Sequence, residues 1–458
     1  MVSTLSILYI FYLFIFAKSV NIVILFGTLI NFFVVILGLF IKKADKFNFY
    51  STFLLIHYLF FVLSPISQNL QNPETSPLFY QASSSPNLIF AFLMSAIFGI
   101  AVLFGQPLSL PFKRKIFEEN QKKYSLSFYF LITILSLILV GISIFIGGGI
   151  SNISSPRMAK EIYIPAHFWY PVSMAFSLFY LQVHLFLNAE EKNNLYRKSK
   201  FILIFLNLIV LLFLSNPINT ARFILVIEWV PLIILIFPSL IYRKSRLILI
   251  LYFGILFLMP ILSPLRYGID EALQKYPEYF SNFSNLLQIK FIDIIEIVTV
   301  TIPISNEFEH AFFTYTLTSP LFFLSSRVFD FIPTTISLQL GSYLLRDNQV
   351  LQNNLSFPPF LEAFIDFSWI GIVFYGFLFG SICRTLENFF KIFNTNKDFP
   401  FIAIIFYASL PMIYRGPIRG IIGIPFLFLI NTILIFLIFF KRKKKGIPYQ
   451  IKSFAKNK

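Results

Sequence analysis

Two apolar runs, FILIFLNLIVLLFLS (201–215) and FILVIEWVPLIILIFPSLIY (223–242), meet at a short hinge, NPINTAR (216–222), whose one charge is Arg222. Apolar runs of about 18 or more residues recur along the chain, and a run of that length matches the thickness of a bilayer core. This repetition constrains the fold more than any other feature. Only 13% of the 458 residues are charged, 57% are hydrophobic and the mean hydropathy is +0.77. A water-soluble domain carries about a quarter charged residues. The sequence therefore predicts an all-α, polytopic membrane protein.

Twelve spans are expected, near 3–17, 20–41, 50–66, 87–110, 126–150, 163–187, 201–215, 223–242, 247–263, 363–382, 400–414 and 421–440. The first stretch has no cationic leader and no small-residue cleavage site, so it reads as a span and not as a signal peptide. Residues 1–263 then hold spans 1–9, 264–362 form one large loop, 363–440 hold spans 10–12, and 441–458 are a basic tail. Connections after even-numbered spans, together with the tail, contain 26 of the 37 Lys and Arg. The positive-inside rule makes that side cytoplasmic, with both termini on it. The formal charge of +16 is explained by this distribution and gives no reason to expect nucleic acid as a partner. The single cysteine, Cys383, excludes an intramolecular disulfide and a cysteine-based metal cluster.

The loop 264–362 is too rich in Phe, Ile and Leu to be disordered. Stretches such as LLQIKFIDIIEIVTV (286–300) predict short amphipathic helices lying as a cap on the extracytoplasmic face. Asp293 and Glu296 share one face of such a helix, with Glu296 expected on a solvated stripe, and Glu362 and Asp366 share a face in the same way. Any of these carboxylates, or His167 and His310 on the same side, has the chemistry of a general base, and for the two histidines a hydrogen-bonded packing role is the alternative. Asp366 has a second role open to it, pairing with an arginine. His57 and His184 are expected to serve packing.

Of the eleven basic residues on the outer side, seven are arginine, against six of the 26 inside. Topology needs only charge, whereas arginine adds a planar fork that binds phosphate through two parallel bonds. Spans 201–215 and 400–414 have only 15 residues, roughly 22 Å of helix at about 1.5 Å per residue. Both end at an arginine hinge, which predicts that Arg222 and Arg415 sit in a recess below the outer surface. Glu228 is the expected ion-pair partner of Arg222. Arg419, Arg327, Arg266 and Arg346 are further outward cations able to bind phosphate or glycan. A lipid-linked diphosphate fits such a recess: its head is anionic at headgroup depth, and its chain needs lateral access between helices.

NPINTARF (216–223), FIDIIEIV (291–298), SSRVFDFIP (325–333), NLSFPPFLEAFIDFSWIG (354–371) and YRGPIRG (414–420) occur in this order. Over roughly 200–425 the ordered set resembles the bacterial O-antigen polymerases of the oligosaccharide repeat-unit polymerase (Wzy-like) type. Asn216, Pro217 and Arg222 match that family's hinge, and Asp293 and Arg327 match two positions in its large loop. Asn354, Ser356, Pro358 and Glu362 match a further motif there, and Arg415 with Gly416 matches the last. Three features depart from the pattern. Pro-Lys-Pro is missing after Arg327, Pro417 follows the Arg-Gly pair, and Ser368 stands where glycine is common.

The resemblance implies a glycosyltransferase in the bacterial cytoplasmic (inner) membrane. It would move a growing glycan from undecaprenyl diphosphate to the non-reducing end of a new lipid-linked repeat unit. No cofactor, metal or nucleotide sugar is implied, because the donor is already activated. The implied catalytic set is Arg222, Arg415, Asp293 and Glu362. Arg419, Arg327, Arg266, Asn354, Ser356 and His310 would bind diphosphate or glycan. Partners would be the lipid-linked oligosaccharide, the bilayer and a chain-length regulator. An O-antigen ligase and a lipid-linked oligosaccharide flippase are the alternatives. The absence of an internal repeat and the single long outer loop argue against a transporter.

Overall fold

The computed structural model describes residues 1–16, 21–42, 48–68, 85–108, 124–156, 164, 166–189, 193–237, 254, 259–262, 264–281, 294–307, 357–390, 401–416 and 418–439. Among these residues every regular element is helical. The first part of the chain forms α1 (Val2–Phe16), α2 (Ile22–Lys42) and α3. The last comprises Phe49–Tyr58, a π turn Leu59–Leu63 and Ser64–Gln68. Then come α4 (Leu88–Phe104), α5 (Leu126–Ile146), α6 (Trp169–Leu187), α7 (Asn194–Leu214) and α8 (Arg222–Ile236). The remainder is α9 (Ile269–Ser281), α10 (Ile294–Thr301), α11 (Pro359–Phe390), α12 (Phe401–Arg415) and α13 (Ile418–Phe439). Among the described residues five stretches are long and apolar enough to cross a membrane: Ile22–Lys42, Phe49–Ser67, Leu126–Ile146, Trp169–Leu187 and Pro359–Phe390. Each expected span coincides with a helix except 247–263, most of which lies outside the described residues.

The solvent preferences of the surface and interior suit lipid. Large apolar side chains such as Phe14, Phe33, Phe40, Phe130, Phe145 and Ile202 point outward, while Thr28, Asn31, Ser95, Gln182 and Asn207 are buried between helices. In a bilayer the surroundings are as apolar as leucine, so helices associate through close packing and interhelical hydrogen bonds. Both devices are present. Ser136 donates to Asn207 Oδ1 at 2.7 Å, Asn207 to Gln182 Oε1 at 3.2 Å and Gln182 to Thr133 Oγ1 at 2.9 Å, which joins α5, α6 and α7. Gly376 and Gly380 of α11, four apart, let that helix lie directly on the α4 backbone.

The contacts fix which helices run side by side in the same direction. Gly27 and Gly38 of α2 meet Phe92 and Leu103 of α4, and Gly376 and Gly380 of α11 meet Phe98 and Val102. The three are therefore parallel. In the same way Ser177 and His184 of α6 meet Thr432 and Phe436 of α13. Lys200 and Asn207 of α7 meet Tyr129 and Ser136 of α5.

Two expectations are corrected. The first concerns α7, which begins at Asn194, capped by the Asn193 side chain on Leu195 N–H, and not near 201. Its 21 residues are roughly 31 Å long at about 1.5 Å per residue. Arg197, Lys198 and Lys200 in the first turns disguise this start as a loop, and the argument that α7 is too short to reach the surface fails. The helix α12 does keep 15 residues. The second concerns the large loop, which is more than a surface cap. The amphipathic α9 exposes Ile269, Leu273 and Phe280, as a surface helix would. By contrast, α10 is buried along almost its whole length and packs on α4, and Phe357–Asp366 is largely buried too. In IIEIVTVT the Thr299 and Thr301 hydroxyls donate back to the carbonyls of Ile295 and Ile297, which lets an otherwise apolar helix be buried. Glu296 goes with it and is buried, not solvated.

A Cβ on Gly380 would lie 2.3 Å from the Val102 carbonyl oxygen. Gly380→Ala is therefore expected to lower unfolding stability in detergent by about 1–3 kcal/mol. Gly141→Ala, where nothing lies within 4 Å, should leave the melting temperature unchanged or slightly raised.

Candidate functional site

The hinge between α7 and α8 satisfies its own backbone. The Asn216 side chain accepts from Ile218 N–H at 2.9 Å, and Asn219 Oδ1 accepts from Asn216 N–H at 2.9 Å. The Asn219 amide donates back to the carbonyls of Phe213 and Leu214 at 3.1 and 3.3 Å, capping α7 where its last carbonyls have no helical partner. Thr220 Oγ1 donates to Asn219 Oδ1 at 2.8 Å. Each asparagine thus serves the turn and one helix end together, and the chain is delivered to Arg222 as the first residue of α8.

A clasp closes the hinge. Ser215, the last residue before it, hydrogen-bonds through its hydroxyl to Glu228 Oε2, one and a half turns into α8. Tyr180 of α6 donates to the Glu228 carbonyl oxygen at 2.6 Å. Glu228 is fully buried. In the described contacts Glu228 is held by Ser215, and the expected pair with Arg222 falls on a side chain that lies outside the described residues.

Arg415 closes α12 and comes to the same place. Its guanidinium carbon sits 5.0 Å from the centroid of the Phe223 ring, the residue next to Arg222. The two arginine hinges therefore share one end of one helix pair. A cation on an aromatic face is held by the ring quadrupole, about 0.5–2 kcal/mol depending on desolvation.

The residue before Arg415 anchors it. The Tyr414 hydroxyl is 2.8 Å from His57 Nδ1, and His57 Nε2 is 2.9 Å from Asn31 Oδ1. Asn31 Nδ2 donates to the carbonyls of Gly27 and Phe92, so Oδ1 is the acceptor and His57 Nε2 carries a hydrogen. In the neutral ring Nδ1 then accepts from Tyr414. Ser95 donates to the same Asn31 oxygen at 3.0 Å. This chain ties the end of α12 to α2, α3 and α4, and sequence reasoning missed it apart from a packing role for His57. The available signal was YRG, with a hydroxyl directly beside the arginine.

The arm carrying Glu362 enters from the other side. Helix α11 breaks at Phe367 (φ −144°, ψ 20°) and Ser368 (φ 55°, ψ −147°), so Pro359–Asp366 folds back on the long part. A Cβ on Gly371 would lie 2.1 Å from the Ala363 carbonyl oxygen, a measure of how tight the reversal is. Phe360 packs on Phe61 and Phe98, and both of those rings touch Tyr414. Glu362 is 1% exposed, and Asp366 accepts the Tyr375 hydroxyl at 2.5 Å. Phe360, two residues before Glu362, and Tyr414, directly before Arg415, thus belong to one aromatic cluster.

Of the other expected residues, Arg266 lies in the 3-10 turn Pro264–Tyr267 and Arg419 in the first turn of α13. Their side chains are outside the described residues. Asp293, which directly precedes α10, and His310, Arg327, Arg346, Asn354 and Ser356 are outside them entirely. No family model, curated protein or solved structure matches this chain. What the arrangement offers chemically is a cation held beside a second arginine position.

Ser368 occupies backbone space that favours glycine, at a cost of about 1–3 kcal/mol for another residue. Ser368→Gly is expected to raise the melting temperature without moving the helix bounds. A lower melting temperature would show that the serine side chain, and not the backbone, holds the reversal.

Proposed function

We propose that this protein polymerises lipid-linked oligosaccharide repeat units at the outer face of the bacterial cytoplasmic membrane, as a metal-independent glycosyltransferase. The observation that carries this reading is the contact of Arg415 with Phe223, which brings the two arginine hinges to one end of the bundle. Twelve spans with cytoplasmic termini form part of the proposal. Its support is that α2, α4 and α11, expected to descend together, run parallel, as do α6 with α13 and α5 with α7.

In the proposed reaction a hydroxyl oxygen at the non-reducing end of a new repeat unit attacks the anomeric carbon of the growing glycan. The bond from that carbon to undecaprenyl diphosphate breaks, and the diphosphate leaves with the electron pair. Arg222 and Arg415 stabilise the charge that develops on it, assisted by Arg419. Preorganised donors of this kind, in a site that excludes water, are commonly the largest contribution to catalysis. Glu362 or Asp293 takes the hydroxyl proton. Arg327, Arg266, Asn354, Ser356 and His310 bind glycan or the second diphosphate. A chain-length regulator is a further proposed partner.

Deletion of the gene separates the alternatives. A polymerase deletion leaves lipopolysaccharide capped by one repeat unit, a ligase deletion leaves long glycan on the lipid carrier, and a flippase deletion leaves no cap. Arg222→Lys and Arg415→Lys are expected to insert normally and to shorten the glycan ladder, because lysine keeps the charge and loses the fork. Phe223→Leu, which removes the ring and keeps the bulk, should reduce chain growth by up to about tenfold, and Phe223→Tyr should restore it. Full ladders from both arginine variants would reject the assignment.

A further inference from the structure

Where α2 and α4 finish and α3 begins, two cations converge on one ring. Lys42 Nζ lies 4.8 Å from the centroid of Tyr50, and the Arg384 guanidinium carbon lies 5.0 Å from the same centroid. The ring is buried, and its hydroxyl donates to the Gly105 carbonyl at 2.9 Å. Thr385 Oγ1, beside Arg384, accepts from Leu108 N–H at 2.8 Å. The ends of four helices therefore hold the ring and both cations in place.

Among the described residues the charges do not balance. Glu387, buried, pairs with Arg384 Nη1 at 2.5 Å and accepts the Tyr407 hydroxyl at 2.9 Å. Among the described residues no carboxylate lies within ion-pair distance of Lys42, and the buried Arg384 Nε has no acceptor. Two cations thus face one carboxylate, with an unsatisfied buried donor beside them. Like charges gathered at one ring repel, and a buried donor without an acceptor is unfavourable. A single negative charge beside the partly exposed Lys42 and Arg384 side chains answers the first problem.

We propose that Lys42, Tyr50 and Arg384 form a binding site for the phosphate group of an anionic phospholipid. A phosphodiester carries one negative charge and acceptor oxygens, which match the excess charge and the partly exposed ammonium and guanidinium groups. The cluster stands at the end of apolar helices, where a headgroup would lie, and on the lysine-rich side of the chain the anionic leaflet is cytoplasmic. Inorganic phosphate shares this chemistry without the acyl chains. The proposal depends on membrane insertion and is independent of the polymerase reading.

The test uses the purified full-length protein in detergent with three probes: dioleoylphosphatidylglycerol, dioleoylglycerol and inorganic phosphate. Thermal unfolding and native mass spectrometry read binding. Phosphatidylglycerol is expected to raise the unfolding temperature and remain bound, while dioleoylglycerol, with the same chains and no phosphate, does neither. Lys42 is only partly buried at a helix end, so Lys42→Gln should fold. It should weaken phosphatidylglycerol binding about tenfold, roughly 1.4 kcal/mol, with Lys42→Arg restoring it. Equal effects of the two lipids, or undiminished binding by Lys42→Gln, would overturn the site. Inorganic phosphate reproducing the whole shift would overturn the lipid as its source.

Discussion

Backbone polar groups away from water must find partners, and in this protein the hinge at 216–222 depends on that rule. An irregular turn persists only where side chains or solvent satisfy its peptide groups. Here two asparagine side chains take the place of water. Asn216 sets the turn, Asn219 caps α7, and Ser215 reaches across to Glu228. Without them the last carbonyls of α7 and the N–H groups of the turn itself would need solvent. With them, the chain reverses tightly enough for α8 to lie against α12 and for Phe223 to receive Arg415.

Around this hinge the protein is fixed from three directions. The Tyr414–His57–Asn31 chain fastens the end of α12 to the first helices. The strained reversal at Ser368 presses the Glu362 arm onto Phe61 and Phe98, the rings that also hold Tyr414. The glycine face of α11 locks that arm's helix onto α4. Bidentate recognition of phosphate needs guanidinium groups that do not wander, and long side chains become rigid only when the residues beside them are held. Tyr414 and Phe223 supply that support to Arg415.

Much of this was legible because lipid-facing helices must be long and apolar, so the runs could be read directly as helices. Helix starts were less legible. The Arg197–Lys200 turn of α7 has a cytoplasmic-loop composition although it is helical, and the depth argument built on a short α7 failed with it. The large loop hid its insertions for a related reason. Apolar residues in a connection fit a surface cap as well as a buried arm, and only packing against α4 decides between them. Ser368 shows the reverse case: the position that departs from the resembling family's glycine is the one residue other than glycine with positive φ among those described. Pairwise contacts such as Arg415 with Phe223, separated by nearly two hundred residues, have no local signature at all.

The most direct test is binding of undecaprenyl diphosphate to the purified protein, compared with undecaprenyl monophosphate. If the two hinges grip one diphosphate, the diphosphate binds more tightly than the monophosphate. Arg222→Lys and Arg415→Lys each reduce that preference, and the double variant loses little beyond the stronger single one. Equal affinity for the two lipids, or two arginine variants that bind like the native protein, would contradict the account.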